Sequence, residues 1–200
     1  MKRIAILVSG RGSNFEAIAR NIEAGHLDAE IACVLSNQPE AKALEAARGR
    51  GLKAISLPSK GVDTDAYAQQ ICDALGELNV DLVCLAGFMR RVGKPLLDRY
   101  ASRILNIHPS LLPSFPGLHV QRQALDYGVK FSGCTVHFVD AGLDTGPVIA
   151  QAAVPILDTD NEDELSARIL IEEHRIYSEA IALVLSQRYR IEGRRVVSTL

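Results

Sequence analysis

Two hundred residues, 48% of them hydrophobic, are enough for one domain with a proper core and no need of disulfides. A formal net charge of −2 and the lack of any basic run argue against a nucleic-acid or anionic-membrane surface as the main partner. Cys33, Cys72, Cys84 and Cys134 lie far apart with no Cys-x-x-Cys pair, so they read as reduced core residues of a cytoplasmic protein rather than metal or redox groups.

The chain opens on Met1-Lys2-Arg3 and a short apolar run to Val8 that Ser9-Gly10-Arg11-Gly12 interrupts, too short for a signal peptide or a membrane span. Arg3 to Val8 suits a buried parallel strand, and a helix is expected from about Asn14 to Ala24. Strands at Ile31–Leu35 and Lys53–Leu57 then alternate with helices at Glu40–Gly49 and Asp65–Leu78. Leu82–Ala86 and Arg103–Ile107 are two more strands. This alternation predicts βαβ units and a mainly parallel sheet with helices on both faces.

The pattern then changes. Gly133–Val139 and Val148–Pro155 are β-rich and separated by a short loop, which favours an antiparallel pair. Glu162–Leu185 repeats Leu165, Ile169, Ile176, Ala180 and Leu183/Val184 along one side, as a helix does, with Asp160-Asn161 placed to cap it. Tyr189–Val197 is a basic tail with room for one strand. No repeat, linker or composition break divides the chain. The expected architecture is a single α/β domain over residues 1–200, with an open, mainly parallel sheet, a Rossmann-like N-terminal half and an antiparallel C-terminal strand pair.

Three side chains stand out. In Leu105-Asn106-Ile107-His108-Pro109 the strand period puts Asn106 and His108 on one face, with Ile104, at a strand end. A carboxamide beside an imidazole is a hydrogen-bond donor beside a proton carrier, and Pro109, Pro113 and Pro116 stiffen the loop that follows. Asp144 lies in Asp140-Ala141-Gly142-Leu143-Asp144-Thr145-Gly146-Pro147, where an aspartate before Thr-Gly-Pro also serves as an ordinary turn residue. The turn Ser9–Asn14 joins a strand to a helix N-terminus and suits a phosphate, although a capped tight turn has the same composition. It is neither a Walker A loop nor a dinucleotide fingerprint, since no Gly-Lys-Ser/Thr follows and Phe15 takes the third glycine's place. Phe88 and Met89 follow the fourth strand, and Glu173-His174 lies on the last long helix, where charged residues usually form a solvated face. Among the other histidines, His26 reads as surface, while His119 and His137 are candidates to support the site. None has metal-ligand spacing, so no metal is expected.

The segment carrying Asn106 and His108, together with Asp144, resembles the signature of the folate-dependent formyltransferases, and the resemblance runs along nearly the whole chain. It implies the formyltransferase fold, with Asn106, His108 and Asp144 as the catalytic trio. Gly12, Ser13 and Asn14 match the positions that hold the phosphate of glycinamide ribonucleotide, and Glu173 matches the acid on its ribose hydroxyls. Met89, Arg90, Arg91 and Val92, with Asp140, Ala141, Gly142 and Leu143, match the borders of the folate pocket. Arg91, Ala141 and Leu170 depart from the residue types usual in that family. The implied reaction moves the formyl group of 10-formyltetrahydrofolate, as co-substrate, to the amino group of glycinamide ribonucleotide in purine biosynthesis. Small-molecule substrates, no nucleic acid, no membrane, and a monomer or homodimer complete the expectation. The alternatives are a formyltetrahydrofolate deformylase, which hands the group to water and typically carries an extra N-terminal domain, and a non-enzymatic nucleotide-binding domain.

Overall fold

Ile4, Ala5, Ile6, Leu7 and Val8 are wholly shielded from solvent, as a parallel strand covered on both faces must be. They form most of β1 (Lys2–Val8), the middle strand of the first of two compact units in the computed structural model, which describes residues 1–199. The first unit runs from Met1 to Asn106 and the second begins at Ile107.

After β1 the first unit continues through α1 (Ser13–Glu23), β2 (Ala29–Ser36), α2 (Lys42–Gly49), β3 (Ala54–Ser56), α3 (Thr64–Leu75), β4 (Leu82–Leu85), α4 (Lys94–Arg99) and β5 (Ile104–His108), the last strand crossing into the second unit. The strand order is β3-β2-β1-β4-β5 and every pairing is parallel. The chain thus winds outward from β1 in one direction, then returns to β1's other side at β4. With right-handed crossovers this reversal puts α1 and α2 on one face and α3 and α4 on the other. It also leaves a switch point at the C-terminal ends of β1 and β4, where open α/β sheets bind ligands.

Helix boundaries follow local chemistry. Asp63 caps α3 by accepting the amides of Asp65 and Ala66 at 3.0 and 3.2 Å. Gly76 ends that helix three residues before the expected Leu78. The six-residue α4, with Pro95 in its first turn, buries only Leu96, too little for a periodic signal.

The second unit contains α5 (Val120–Tyr127), β6 (Phe131–Phe138), β7 (Val148–Pro155), α6 (Glu162–Ser186), β8 (Tyr189–Glu192) and β9 (Arg195–Ser198). β6 and β7 pair antiparallel from Phe131↔Pro155 to His137↔Val148, as their spacing predicts. β9 meets β7 in parallel, and the tail is a two-stranded hairpin rather than one strand, turning at Gly193. α5 escaped the sequence pattern because only Val120 and Ala124 are buried in it. α6 begins with a full capping box, Asn161 accepting the amide of Glu164 while Glu164 accepts that of Asn161. No helix of the described residues is long and apolar enough to cross a membrane. All four cysteines are buried thiols, and burial pushes those of Cys33 and Cys134 up to about 12.

A fork of two hydrogen bonds fastens α6 to the end of β7. Arg168 donates through Nη1 and Nη2 to the two oxygens of Asp160, at 2.6 and 2.8 Å, and through Nη1 to the Pro155 carbonyl at 2.9 Å. The Asp160 carboxyl is lowered to about 2, first by Arg168 and then by the Leu157 amide. A carboxyl depressed on folding contributes stability above its unfolded value, near 3.9, and loses it as pH falls through the folded one. Arg168→Met should therefore lower the melting temperature at pH 7, and its gap from the parent should close between about pH 4 and pH 2. Thermal melts across that range would contradict the role if the gap stayed constant.

Candidate functional site

His108 ends β5 and is 5% exposed, two residues beyond the half-buried Asn106. Its Nε2 lies 2.9 Å from the Phe115 carbonyl, which can only accept, so Nε2 carries a proton. Its Nδ1 then faces Asp144, 3.6 Å from Oδ2. That separation is an ion-pair distance rather than a direct hydrogen bond. The other carboxylate oxygen, Oδ1, lies 3.8 Å from Nε2 of His137 on β6. His137 Nδ1 is 2.8 Å from the Phe138 carbonyl, so this ring too is protonated on its far side. One carboxylate thus sits between two imidazoles whose outer nitrogens are both committed to backbone carbonyls.

Asp144 reaches this position through an uncommon backbone. Its φ is +54°, in the left-handed region that aspartate tolerates better than most residues. Oδ2 accepts the Gly117 amide at 3.0 Å, which aims the carboxylate. The loop before it is braced by Asp140, whose Oδ1 accepts the Gly142 amide at 3.0 Å and the Thr145 hydroxyl at 2.7 Å. A side chain at Gly142 would put its Cβ 2.0 Å from Thr145 Oγ1, so Thr145 would have to move off Asp140 to admit it. Ala141, Gly142 and Leu143 are exposed on it.

Burial is the largest influence on His137 and pushes it below the ordinary histidine range, opposed by the Phe138 carbonyl and by Asp144. Neighbouring His108 pushes in the same direction as burial. Burial thereby favours a neutral His137 at neutral pH. His119, by contrast, is exposed at the N-cap of α5, with φ +55°. His26 is exposed.

In the first unit, the loop after β1 enters α1 through Gly12, with φ +80° and no capping side chain. An added Cβ there would lie 2.5 Å from the Ala43 Cβ, so the glycine also allows α2 to pack against the turn. Ser13 opens the helix and Asn14 is buried in its first turn. The segment after β4 is bound to this loop, since Ser9 Oγ accepts the Met89 amide at 2.7 Å and donates to Asn37 Oδ1 at 2.5 Å. Asn37 in turn donates to Ser59 Oγ at 3.2 Å. Sequence reading took Ser9 only as the start of the turn and Asn37 only as a strand end, and passed over Ser59 and the bonds that link the three. Their only signal is that each follows a strand at its C-terminal end.

Met89 is 64% exposed, Arg91 exposed and Val92 half-buried. The Arg90 guanidinium turns inward. It donates to the Ser59 and Val62 carbonyls at 3.3 and 2.9 Å and lies 5.3 Å from the Tyr67 ring centroid. Its side chain therefore holds the 59–62 loop. Glu173 is 8% exposed on the same stripe of α6 as Ile169 and Ile176, not on a solvated face. Among the described residues no three His, Cys, Asp or Glu side chains are placed to hold a metal ion together.

Residues 2–181 match the formyl transferase family. The chain is 45% identical over 188 residues to the trifunctional purine biosynthetic protein adenosine-3 of Drosophila melanogaster, spanning 92% of this chain but 14% of that longer protein. It is 41% identical over 193 residues to the phosphoribosylglycinamide formyltransferase of Bacillus subtilis strain 168, covering 96% of this chain and 99% of that one. The crystal structure of glycinamide ribonucleotide transformylase 1 from Symbiobacterium toebii superposes with a TM-score of 0.96 at 50% identity, over 99% of this chain and 94% of the other. A formyltetrahydrofolate deformylase from Pseudomonas syringae pv. tomato superposes with a TM-score of 0.92 at only 26% identity, and 65% of its chain is covered.

Two outcomes are expected from these contacts. Gly12→Ala should destabilise the protein by about 1–2 kcal/mol through its left-handed backbone alone, with the Ala43 contact adding to that. Ala43→Gly in the same chain should recover the contact part, read from denaturant midpoints. For His137, a pKa depressed on folding means full stability above the unfolded value near 6.5, lost as pH falls because the unfolded chain takes the proton first. His137→Gln should flatten the fall in stability below about pH 6.5. Parallel pH profiles for parent and variant would show that the folded protein accommodates a charged His137.

Proposed function

The chain belongs to the formyl transferase family, and on that premise we propose that it transfers the formyl group of 10-formyltetrahydrofolate to the amino group of glycinamide ribonucleotide. Formylglycinamide ribonucleotide and tetrahydrofolate are the products, and the reaction is a step of de novo purine biosynthesis in the cytoplasm. The observation that carries the reading is the alignment of His108 with Asp144, on a strand end that also bears Asn106.

The chemistry is acyl transfer. The amine nitrogen attacks the formyl carbon, whose oxygen becomes an oxyanion. The bond from that carbon to N10 then breaks, the amine losing one proton and N10 gaining one, so the reaction balances without an outside energy source. Asn106 supplies an amide N–H for the oxyanion, a donor whose loss typically costs about 3–4 kcal/mol. His108 moves the proton, and Asp144 stabilises its imidazolium through a close opposite charge. Gly12, Ser13 and Asn14 receive the acceptor's phosphate at the start of α1, where the backbone comes close and the helix dipole favours an anion. Glu173 takes the ribose hydroxyls. Met89–Val92 and Asp140–Leu143 border the folate, with Arg90 contributing through its main chain.

Incubation with 10-formyltetrahydrofolate, with and without glycinamide ribonucleotide, separates this reading from the deformylase. Tetrahydrofolate should form only with the acceptor present, and formate release without it would favour hydrolysis. His108→Ala and Asn106→Ala should each lower kcat by about 10²–10⁴-fold with the fold intact. Asp144→Asn, nearly isosteric, should lower kcat while leaving both KM values close to the parent's. Near-parent turnover in folded His108→Ala would reject the assignment.

A further inference from the structure

The loop after β5 is built as a clamp on the His108 ring, and it is held from β6 and β7. Thr135 is fully buried and its hydroxyl is saturated. It donates to the Ser110 carbonyl at 2.7 Å and accepts the Leu112 amide at 3.0 Å and Gln151 Nε2 at 2.9 Å. Gln151 Nε2 also donates to the Leu112 carbonyl at 2.9 Å. Ser110, equally buried, directs its single hydroxyl proton at the far side of the loop, 2.6 Å from the Ser114 carbonyl and 3.0 Å from that of Phe115. The Phe115 carbonyl is the group that faces His108 Nε2.

We infer that Ser110 and Thr135 are positioning residues that fix the tautomer of His108, so that the reaction's proton enters and leaves the ring through Nδ1. The inference rests on the formyl transfer proposed above. A carbonyl held in place at Nε2 accepts but never donates, so the neutral ring keeps its proton there and presents a bare Nδ1. Nδ1 is also the nitrogen that faces Asp144, and Asp144 is aimed by Gly117, the end of the same loop. One short segment thus sets both the proton-free nitrogen and the charge that stabilises the proton once taken. The opposite tautomer would set the Nε2 lone pair against the lone pairs of the Phe115 oxygen. In the forward reaction Nδ1 accepts the proton that the amine loses and returns it to N10, and Nε2–H stays bonded to Phe115 throughout.

Long-range proton–nitrogen correlation spectra of the ligand-free protein with ¹⁵N-labelled histidine read the tautomer directly, at a pH where His108 is neutral. The parent should show the proton on Nε2. Ser110→Ala and Thr135→Val should each raise the population protonated on Nδ1 and lower kcat by at least about tenfold, with both KM values little changed. Thr135→Ser, which keeps the hydroxyl, should retain the parent's tautomer and most of its kcat. A parent ring protonated on Nδ1 when neutral would overturn the inference even if neither deletion variant folds. So would folded Ser110→Ala and Thr135→Val proteins with unchanged tautomer and kcat. Absence of formyl transfer in the parent, with the Nε2 proton present, would instead reject the reaction and leave the tautomer clamp standing.

Discussion

A carboxylate held between two imidazoles is the constraint on which the second unit's local architecture turns. Asp144 must hold a left-handed backbone and accept the Gly117 amide to face both His108 and His137. Every neighbouring feature serves that placement. Asp140 braces the turn from within, Gly142 leaves room for Thr145, and the Phe115 and Phe138 carbonyls take the outer nitrogens of the two rings. The electrostatic result is a division of labour between identical side chains. Burial favours a neutral His137, while His108 faces the carboxylate with a nitrogen able to take a proton.

The first unit solves a different problem, keeping loops fixed where a sheet changes direction. Irregular backbone after a strand has no ladder to join, and each polar group needs another partner. Ser9, Asn37 and Ser59 supply a chain of hydrogen bonds across the C-terminal ends of the strands, and Ser9 takes the Met89 amide into it. Arg90 does the same for the 59–62 loop through two carbonyls and the Tyr67 ring. An arginine near a proposed anionic substrate invites a direct contact. Here the guanidinium is already committed to structure, and Met89 is the exposed side chain beside it.

Glu173 carries a related lesson about helices. Charged residues on a long amphipathic helix ordinarily mark the solvated face, yet Glu173 lies on the stripe of Ile169 and Ile176. Burying a carboxylate in such a stripe opposes stability unless the group is partnered, and such burial is commonest at functional positions. Relatives that share the family's architecture at 41–50% identity make the role of a substrate acid the natural proposal for it.

Much of this was legible in residue order alone. The alternation of apolar runs with helical periods determined the parallel unit, because a strand buried on both faces has to read as Ile-Ala-Ile-Leu-Val. The β6–β7 pair, the Asn161 cap and the shared strand side of Asn106 and His108 follow equally from spacing, since strand and helix periods are local properties. α4 and α5 were not legible, because each buries too few side chains to impose a period. Nor could sequence order bring Asp144 to His108, put His137 on its other oxygen, or turn Arg90 inward. Those depend on where a left-handed aspartate, a carbonyl within the three-proline loop and a tyrosine ring come to rest. Contacts between residues distant in sequence are decided by packing and by the need to satisfy every buried polar group, and only the tertiary structure performs that selection.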